Sequence, residues 1–241
     1  MGEASREERA FVVAVDGPAG AGKSTVARNV AQTLGFTLLD TGAIYRTVAL
    51  ACERAAVSWK DEAAATELTR KLVARGAMKL VPAEGSSMKL LLDGEEVSEA
   101  IRTPSISMGA STVSALAGVR TALLDVQRDF AKGGIRGLVC EGRDIGTVIF
   151  PDADVKIFLT ASVDERARRR HGEFVAKDPT FTLEQTRAAV IARDAQDETR
   201  VVAPLRRADD AVVVDSTGNE VAVTIARVLS IVREKLHGGA R

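Results

Sequence analysis

Residues 17 to 25 read Gly-Pro-Ala-Gly-Ala-Gly-Lys-Ser-Thr and put Gly17, Gly22, Lys23 and Ser24 in the four defining positions of a Walker A loop. Such a loop needs a buried strand before it and a helix after it, and both are legible here. Phe11 to Val15 is a short, mostly β-branched apolar run stopped by Asp16-Gly17-Pro18, which reads as a strand buried on both faces. A helix is expected from Lys23 to about Leu34. Glycines let backbone N–H groups turn inward around phosphates, and the helix N-terminus adds partial positive charge. Lys23 is placed to bridge β- and γ-phosphate oxygens, and the Ser24 hydroxyl to reach Mg²⁺. The whole run, Gly17, Pro18, Ala19, Gly20, Ala21, Gly22, Lys23, Ser24 and Thr25, is the expected nucleotide cradle. The flanking strand and helix disfavour a glycine-rich turn without chemistry. A bound nucleoside triphosphate follows, but not yet a reaction, since loops of this kind also serve switches, motors and transporters.

Further along, Leu38-Leu39 precedes a second loop, Asp40-Thr41-Gly42, and a helix from about Ala43 to Ala56. Met78 to Val81, Met88 to Leu92 and Glu95 to Val97 read as short strands, the last two joined at Asp93-Gly94, a strong hairpin signal. Pro82 to Ser87 is the turn between the first two, so a small antiparallel insert is expected. Helical periodicity from Pro104 to Ala131 suggests two helices broken near Ala117-Gly118. Strands follow at Gly137 to Cys140, Val155 to Leu159 and Ala211 to Val214. They alternate with a basic helix starting at Ser162, a long helix from Leu183 to Thr199, and a last helix capped by Asn219 and ending near His237-Gly238. Repeated strand and helix units predict a parallel α/β sheet.

Three clusters beyond the loop carry arginine together with carboxylate, the combination that holds an anionic phosphate and a polar nucleoside. Asp40-Thr-Gly-Ala-Ile-Tyr-Arg46 offers Thr41, Tyr45 and Arg46 at the carboxyl end of a strand, where open α/β sheets bind ligands. The alternative there is a helix cap by Asp40 or Thr41, with Arg46 a solvated charge. Glu141-Gly-Arg-Asp-Ile-Gly-Thr147 follows a buried strand: Glu141 can hold a metal-bound water, Arg143 suits a phosphate and Asp144 a base amino group. The competing reading is an internal Arg143 to Asp144 ion pair closing a turn. Arg193, Asp197 and Arg200 stack on one face of the long helix, which by spacing alone also fits a solvated i, i+4 ion pair. Arg166, Arg169 and Arg170 share one side of the basic helix, where arginines can neutralise charge during phosphoryl transfer. A GTPase would need a base-reading Asn-Lys-x-Asp element, and none is visible.

Composition narrows the class. Lys plus Arg equals Asp plus Glu at 33 each, so no global basic field recruits a nucleic acid. With 46% apolar and only 4% aromatic residues the core must be aliphatic. Cys52 and Cys140 fall in apolar segments and read as buried thiols of a reducing cytoplasm. Met1 to Ala10 is charged and reads as a loose tail, neither secretory signal nor membrane anchor, with Arg6 where a myristoylation signal wants Ser or Thr. His171, His237 and Trp59 read as surface or packing residues.

From about Val12 to Leu236 the chain closely resembles the bacterial cytidylate kinases of the nucleoside monophosphate kinase group. The resemblance is carried by Gly17 to Thr25, Asp40 to Arg46, Glu141 to Ala153, Lys156 to Ser162 and Val202-Ala-Pro-Leu205. It implies a P-loop three-layer α/β sandwich over residues 11–237. A monophosphate-binding insert of antiparallel strands is expected at about 73–110, and a helical lid at about 162–182. It implies transfer of the γ-phosphate of ATP, with Mg²⁺, to CMP or dCMP; the charge balance, the thiols and the N-terminal stretch add the expectation of a cytoplasmic protein, a monomer, without nucleic-acid or membrane partners. Ser111, Arg120 and Asp144 would hydrogen-bond cytosine; Arg46, Arg143 and Arg200 would grip the substrate phosphate; Arg193 and Asp197 would contact the sugar or position its phosphate. Thr41 stands where serine is frequent, keeping the hydroxyl and adding a methyl. Rival readings are an adenylate or shikimate kinase, against which the cytosine-side residues argue, and a nucleotide-dependent binding module without turnover.

Overall fold

The computed structural model describes residues 9–82, 88–132, 134–175 and 180–238. In chain order the elements are β1 (Phe11–Asp16), α1 (Lys23–Leu34), β2 (Thr37–Asp40), α2 (Thr41–Arg54), α3 (Glu62–Ala74), β3 (Met78–Pro82), β4 (Met88–Leu92) and β5 (Glu95–Glu96). They continue as α4 (Pro104–Val113), α5 (Ala117–Asp129), β6 (Gly137–Gly142), β7 (Val155–Thr160), α6 (Val163–Val175), α7 (Leu183–Thr199), β8 (Val212–Asp215) and α8 (Val221–Gly238). The expected tail before residue 9, the expected turn after Pro82, 83–87, and part of the expected lid, 176–179, lie outside the described residues. The chain divides into two compact units, one of Leu34–Leu138 with the described residues up to Phe11, the other of Val12–Thr33 with the described residues from Val139 onward.

The second unit carries the parallel sheet, with strands in the order β6-β1-β7-β8. β1 pairs in parallel with β7, Val13 opposite Val155, and β7 in parallel with β8, Ile157 opposite Val212. Every residue of β1 from Val12 to Asp16 is buried, as expected for a strand covered on both faces. α8 packs on β7 and β8, and α6 on α7. Asn219 does not cap α8: its amide donates to the Asp215 carbonyl at 3.1 Å, and the helix starts after Glu220, whose carbonyl accepts from Thr224.

In the first unit β3, β4 and β5 form the expected antiparallel sheet, with Met78 opposite Leu92 and Leu91 opposite Glu96. Asp93 and Gly94 turn the second hairpin with φ of 53° and 86°, the left-handed pair a type I′ turn requires. Two expectations shift. Thr41 is already helical, so no loop separates β2 from α2, because the Asp40 side chain accepts from the Ala43 N–H and nucleates the helix at once. The break between α4 and α5 falls at Ser114 to Leu116, and Ala117-Gly118 opens α5. α3 went unread in the sequence; Asp61 caps it through the Ala64 N–H. Trp59 is a packing residue: its Nε1 donates to Ala49, and its ring lies where a Cβ on Gly109 would fall within 2.5 Å, so only glycine fits that turn of α4.

The sheet's active edge is organised by Asp16, at the end of β1. Its two carboxylate oxygens accept from the Ile145 and Gly146 N–H groups at 2.8 and 2.7 Å, which pins the π-helical turn Ile145–Ile149 that follows β6. Burial pushes the Asp16 carboxyl up to about 6; the two N–H bonds and Lys23 pull the other way, and Asp144 adds to the rise. Between its ordinary value of 3.8 and about 6 the folded chain holds a proton that the unfolded chain has released. This group's contribution to stability is therefore full below that window and is lost as pH rises through it, by roughly 3 kcal/mol. Urea unfolding between pH 4 and 7 should show the native protein losing about that much relative to Asp16→Asn; parallel stability curves would refute the assignment.

Candidate active site

The cradle between β1 and α1 has the backbone a phosphate-binding loop needs. Gly17, Gly20 and Gly22 have φ of 150°, 77° and 91°. Gly17 also runs so close to β7 that a Cβ there would meet the Leu159 carbonyl oxygen at 1.9 Å. Lys23 is buried at the start of α1 and its Nζ donates to the Pro18 carbonyl at 2.8 Å. Burial and the Arg143 guanidinium hold its ammonium well below the ordinary lysine range, against the opposing pull of Glu141, Asp16 and Asp197. Ser24 Oγ donates to Glu141 Oε2 at 3.0 Å, so the expected metal-reaching hydroxyl and the expected water-holding carboxylate are neighbours.

Glu141 and Gly142 belong to β6, and Ile145 onward to the π-helical turn, so only Arg143 and Asp144 of that cluster lie between regular elements. They do not pair with each other. Arg143 Nε donates to Asp197 Oδ2 at 2.8 Å, and Arg200 approaches Asp144 Oδ1 at 3.6 Å. Arg193 adds a longer contact to Asp197 at 3.7 Å. The α7 cluster is thus no solvated ion pair: Asp197 is buried, and although burial alone would raise its carboxyl, Arg143, Arg193 and Arg200 together hold it below the usual carboxylate range. The structure brings Arg143, Asp144, Arg193, Asp197 and Arg200 into one charged group.

The basic helix α6 is fastened to the cradle. Ser162 caps it by accepting from the Glu165 N–H. Arg166 is buried and donates to the carbonyls of Ala161 and Ala19, with its other terminal nitrogen 2.7 Å from Asp194. Arg169 bonds Glu165, the Ser216 hydroxyl and carbonyl, and the Ala21 carbonyl. Arg170 lies against Gly20, whose added Cβ would stand 3.3 Å from its side chain.

The first unit gathers a second set of expected residues. Arg46 pairs with Asp40 at 3.3 Å rather than standing alone in solvent, and Gly42 leaves room for that pair, since a Cβ there would lie 3.1 Å from Asp40. Thr41 is buried in the first turn of α2. The Arg120 guanidinium sits 5.5 Å over the Tyr45 ring and donates to the Ser114 carbonyl, while the Ser114 hydroxyl donates to the Ser111 carbonyl. Arg120 and Tyr45 thus meet directly, and Ser111 is linked to them through its backbone carbonyl and Ser114, the three residues coming from three different helices.

Sequence reading missed Asp16, Asp194 and Ser216. Ser216 is buried after β8, where its hydroxyl and N–H both donate to the Thr160 carbonyl. Asp16 ends a strand, Ser216 follows one, and Asp194 lies on the inward stripe of α7, signals that were available. Neither Cys52 nor Cys140 is disulfide-bonded, and both are buried. Among the described residues no group of three or more His, Cys, Asp or Glu is arranged to hold a metal, and no helix is long and apolar enough to cross a membrane.

The family model described as cytidylate kinase matches residues 13–234. A cytidylate kinase of Geobacter sulfurreducens is 49% identical over 227 residues, covering 94% of this chain and 94% of its own. Those of Citrifermentans bemidjiense and Pasteurella multocida are 47% and 45% identical, covering 96% and 94% of this chain and 97% and 96% of their own. With that match across nearly its whole length, the chain belongs to the cytidylate kinase family.

Proposed function

We propose that this protein transfers the γ-phosphoryl group of ATP to CMP or dCMP, releasing ADP and CDP or dCDP. The observation that carries the reading is the Walker A cradle with Lys23 buried in it, in the same unit as the Arg143–Asp197 group, within a chain of the cytidylate kinase family. Phosphoryl transfer needs little covalent chemistry from a protein; positioning and charge stabilisation supply most of the rate. The loop N–H groups and Lys23 hold the β- and γ-phosphates, and Arg166, Arg169 and Arg170 supply cationic charge beside the transferring group. A CMP phosphate oxygen attacks in line, with no covalent enzyme intermediate.

Hydroxyl and carboxylate oxygens are the donors a hard divalent cation takes, and the Ser24–Glu141 pair offers both at 3.0 Å. Ser24 would bind Mg²⁺ directly and Glu141 through water; the ion supplies neutralisation of charge on the β- and γ-phosphates. We assign Arg46, Arg143 and Arg200 to the acceptor phosphate, Arg193 and Asp197 to the sugar or its phosphate, Thr41 and Tyr45 to the substrate, and Ser111, Arg120 and Asp144 to the base.

Base choice follows from donor and acceptor inventory. Cytosine offers an exocyclic amino group that Asp144 can accept from, and ring acceptors that Ser111 and Arg120 can donate to. Uracil puts a carbonyl where that amino group stands, which leaves the buried Asp144 carboxylate facing an acceptor. ADP formation in a coupled assay across CMP, dCMP, UMP and AMP should favour CMP and dCMP, with kcat/KM for UMP lower by about 10- to 100-fold. Equal values for CMP and UMP would overturn this account of the base site. Lys23→Ala should fold, by circular dichroism, yet lose about 100- to 1,000-fold in kcat; ordinary turnover in that variant would remove Lys23 from the chemistry.

A further inference from the structure

α7 turns one stripe inward: Thr186, Val190 and Asp197 are buried, and Asp194, between the last two, keeps only 14% of its side chain exposed. A carboxylate on a buried stripe must find a partner or lose its charge. Asp197 has Arg143. Asp194 has Arg166, with Oδ2 2.7 Å from a terminal guanidinium nitrogen, and the arginine side chain is itself only 5% exposed.

Arg166 directs its remaining contacts at backbone. Its Nε donates to Ala161 at 2.9 Å, and the other terminal nitrogen donates to the Ala19 carbonyl at 3.1 Å. Ala19 lies inside the nucleotide cradle. The next residue, Gly20, lies so close to α6 that a Cβ would stand 3.1 Å from Arg166 Cβ and 3.2 Å from its carbonyl oxygen. The loop therefore rests on Arg166, and the orientation of the Ala19 carbonyl depends on where that guanidinium points. Two carbonyls and one carboxylate around a planar fork fix that orientation in a way a flexible ammonium does not.

We propose that Asp194 is a positioning residue of the phosphate cradle: by holding the Arg166 guanidinium against the Ala19 carbonyl, it keeps the loop N–H groups aimed at the triphosphate. The proposal rests on reading residues 17 to 25 as the ATP site. It gives α7 two separable tasks, the ATP side through Asp194 and the acceptor side through Asp197 three residues later.

The test measures ATP affinity by titration calorimetry without acceptor, and KM for ATP and for CMP at steady state. Asp194→Asn should weaken ATP binding and raise KM for ATP at least about tenfold while KM for CMP stays within about twofold, with Asp194→Glu recovering most of the loss. Arg166→Lys should lose ATP affinity similarly, and the double variant Asp194→Asn/Arg166→Lys should be no weaker than Arg166→Lys alone. Unchanged ATP affinity in folded Asp194→Asn, an equal rise in both KM values, or additive losses would overturn the proposal. Should Asp194→Asn fail to fold, the apolar pair Asp194→Leu/Arg166→Met takes its place, because matched apolar replacement spares the desolvation cost of a buried pair. That pair variant binding ATP normally, or failing to fold as well, overturns the proposal too. A native protein that binds ATP but does not phosphorylate CMP would sink the functional reading and leave the calorimetric test of Asp194 standing.

Discussion

A buried lysine ammonium is the constraint around which the second unit is arranged. Lys23 has left water at the start of α1, with one hydrogen bond to the Pro18 carbonyl and with Arg143 adding repulsion. Three carboxylates, Glu141, Asp16 and Asp197, offset this, and none of the three bonds Lys23 directly: Glu141 accepts from Ser24, Asp16 from two backbone N–H groups, and Asp197 from Arg143. These carboxylates thus act on the buried ammonium while bonding other donors. The proposed triphosphate would bring further negative charge to that ammonium, so nucleotide binding and the charge balance of the cradle are one problem.

The same economy governs the carboxylates. Three of them are held by named donors: Asp16 by the π-helical turn, the largely covered Asp194 by Arg166, and Asp197 by Arg143. Because removing one partner of a buried pair leaves an uncompensated charge, these contacts act as orientation devices more than as sources of net stability. The helices α6 and α7 consequently meet across charges as well as apolar side chains, and Arg166 and Arg169 pass that arrangement on to the Ala19 and Ala21 carbonyls.

Local signals were the legible ones. The Lys23–Leu34 and Leu183–Thr199 helices begin and end where periodicity places them, the latter because Thr182 and Gln185 form a reciprocal cap. Asp93-Gly94 declares its turn because left-handed φ is cheap for those residues. α3 was illegible because its Ala-rich, polar-interrupted sequence, Glu62 to Ala74, presents a weak apolar stripe. The π-helical turn depends on Asp16, 129 residues earlier, and no local pattern contains that hydrogen bond. Spacing put Arg193, Asp197 and Arg200 on one helical face, yet α7 ends at Thr199 and Arg200 caps it with non-helical backbone; whether the face met solvent depended on β6, which supplies Arg143 just beyond its end. The first-unit cluster of Tyr45, Ser111 and Arg120 likewise joins three helices, and its membership came from family resemblance rather than from any one segment.

The proposed direct transfer fits these features: Lys23 is buried in the cradle, and the carboxylates Asp194 and Asp197 are paired with Arg166 and Arg143. The most direct measurement follows the fate of radiolabelled γ-phosphate from ATP incubated with the protein, Mg²⁺ and CMP. The account predicts that the label passes into CDP in step with ADP formation. Label accumulating on the protein, or released as inorganic phosphate while CMP stays unmodified, would contradict it.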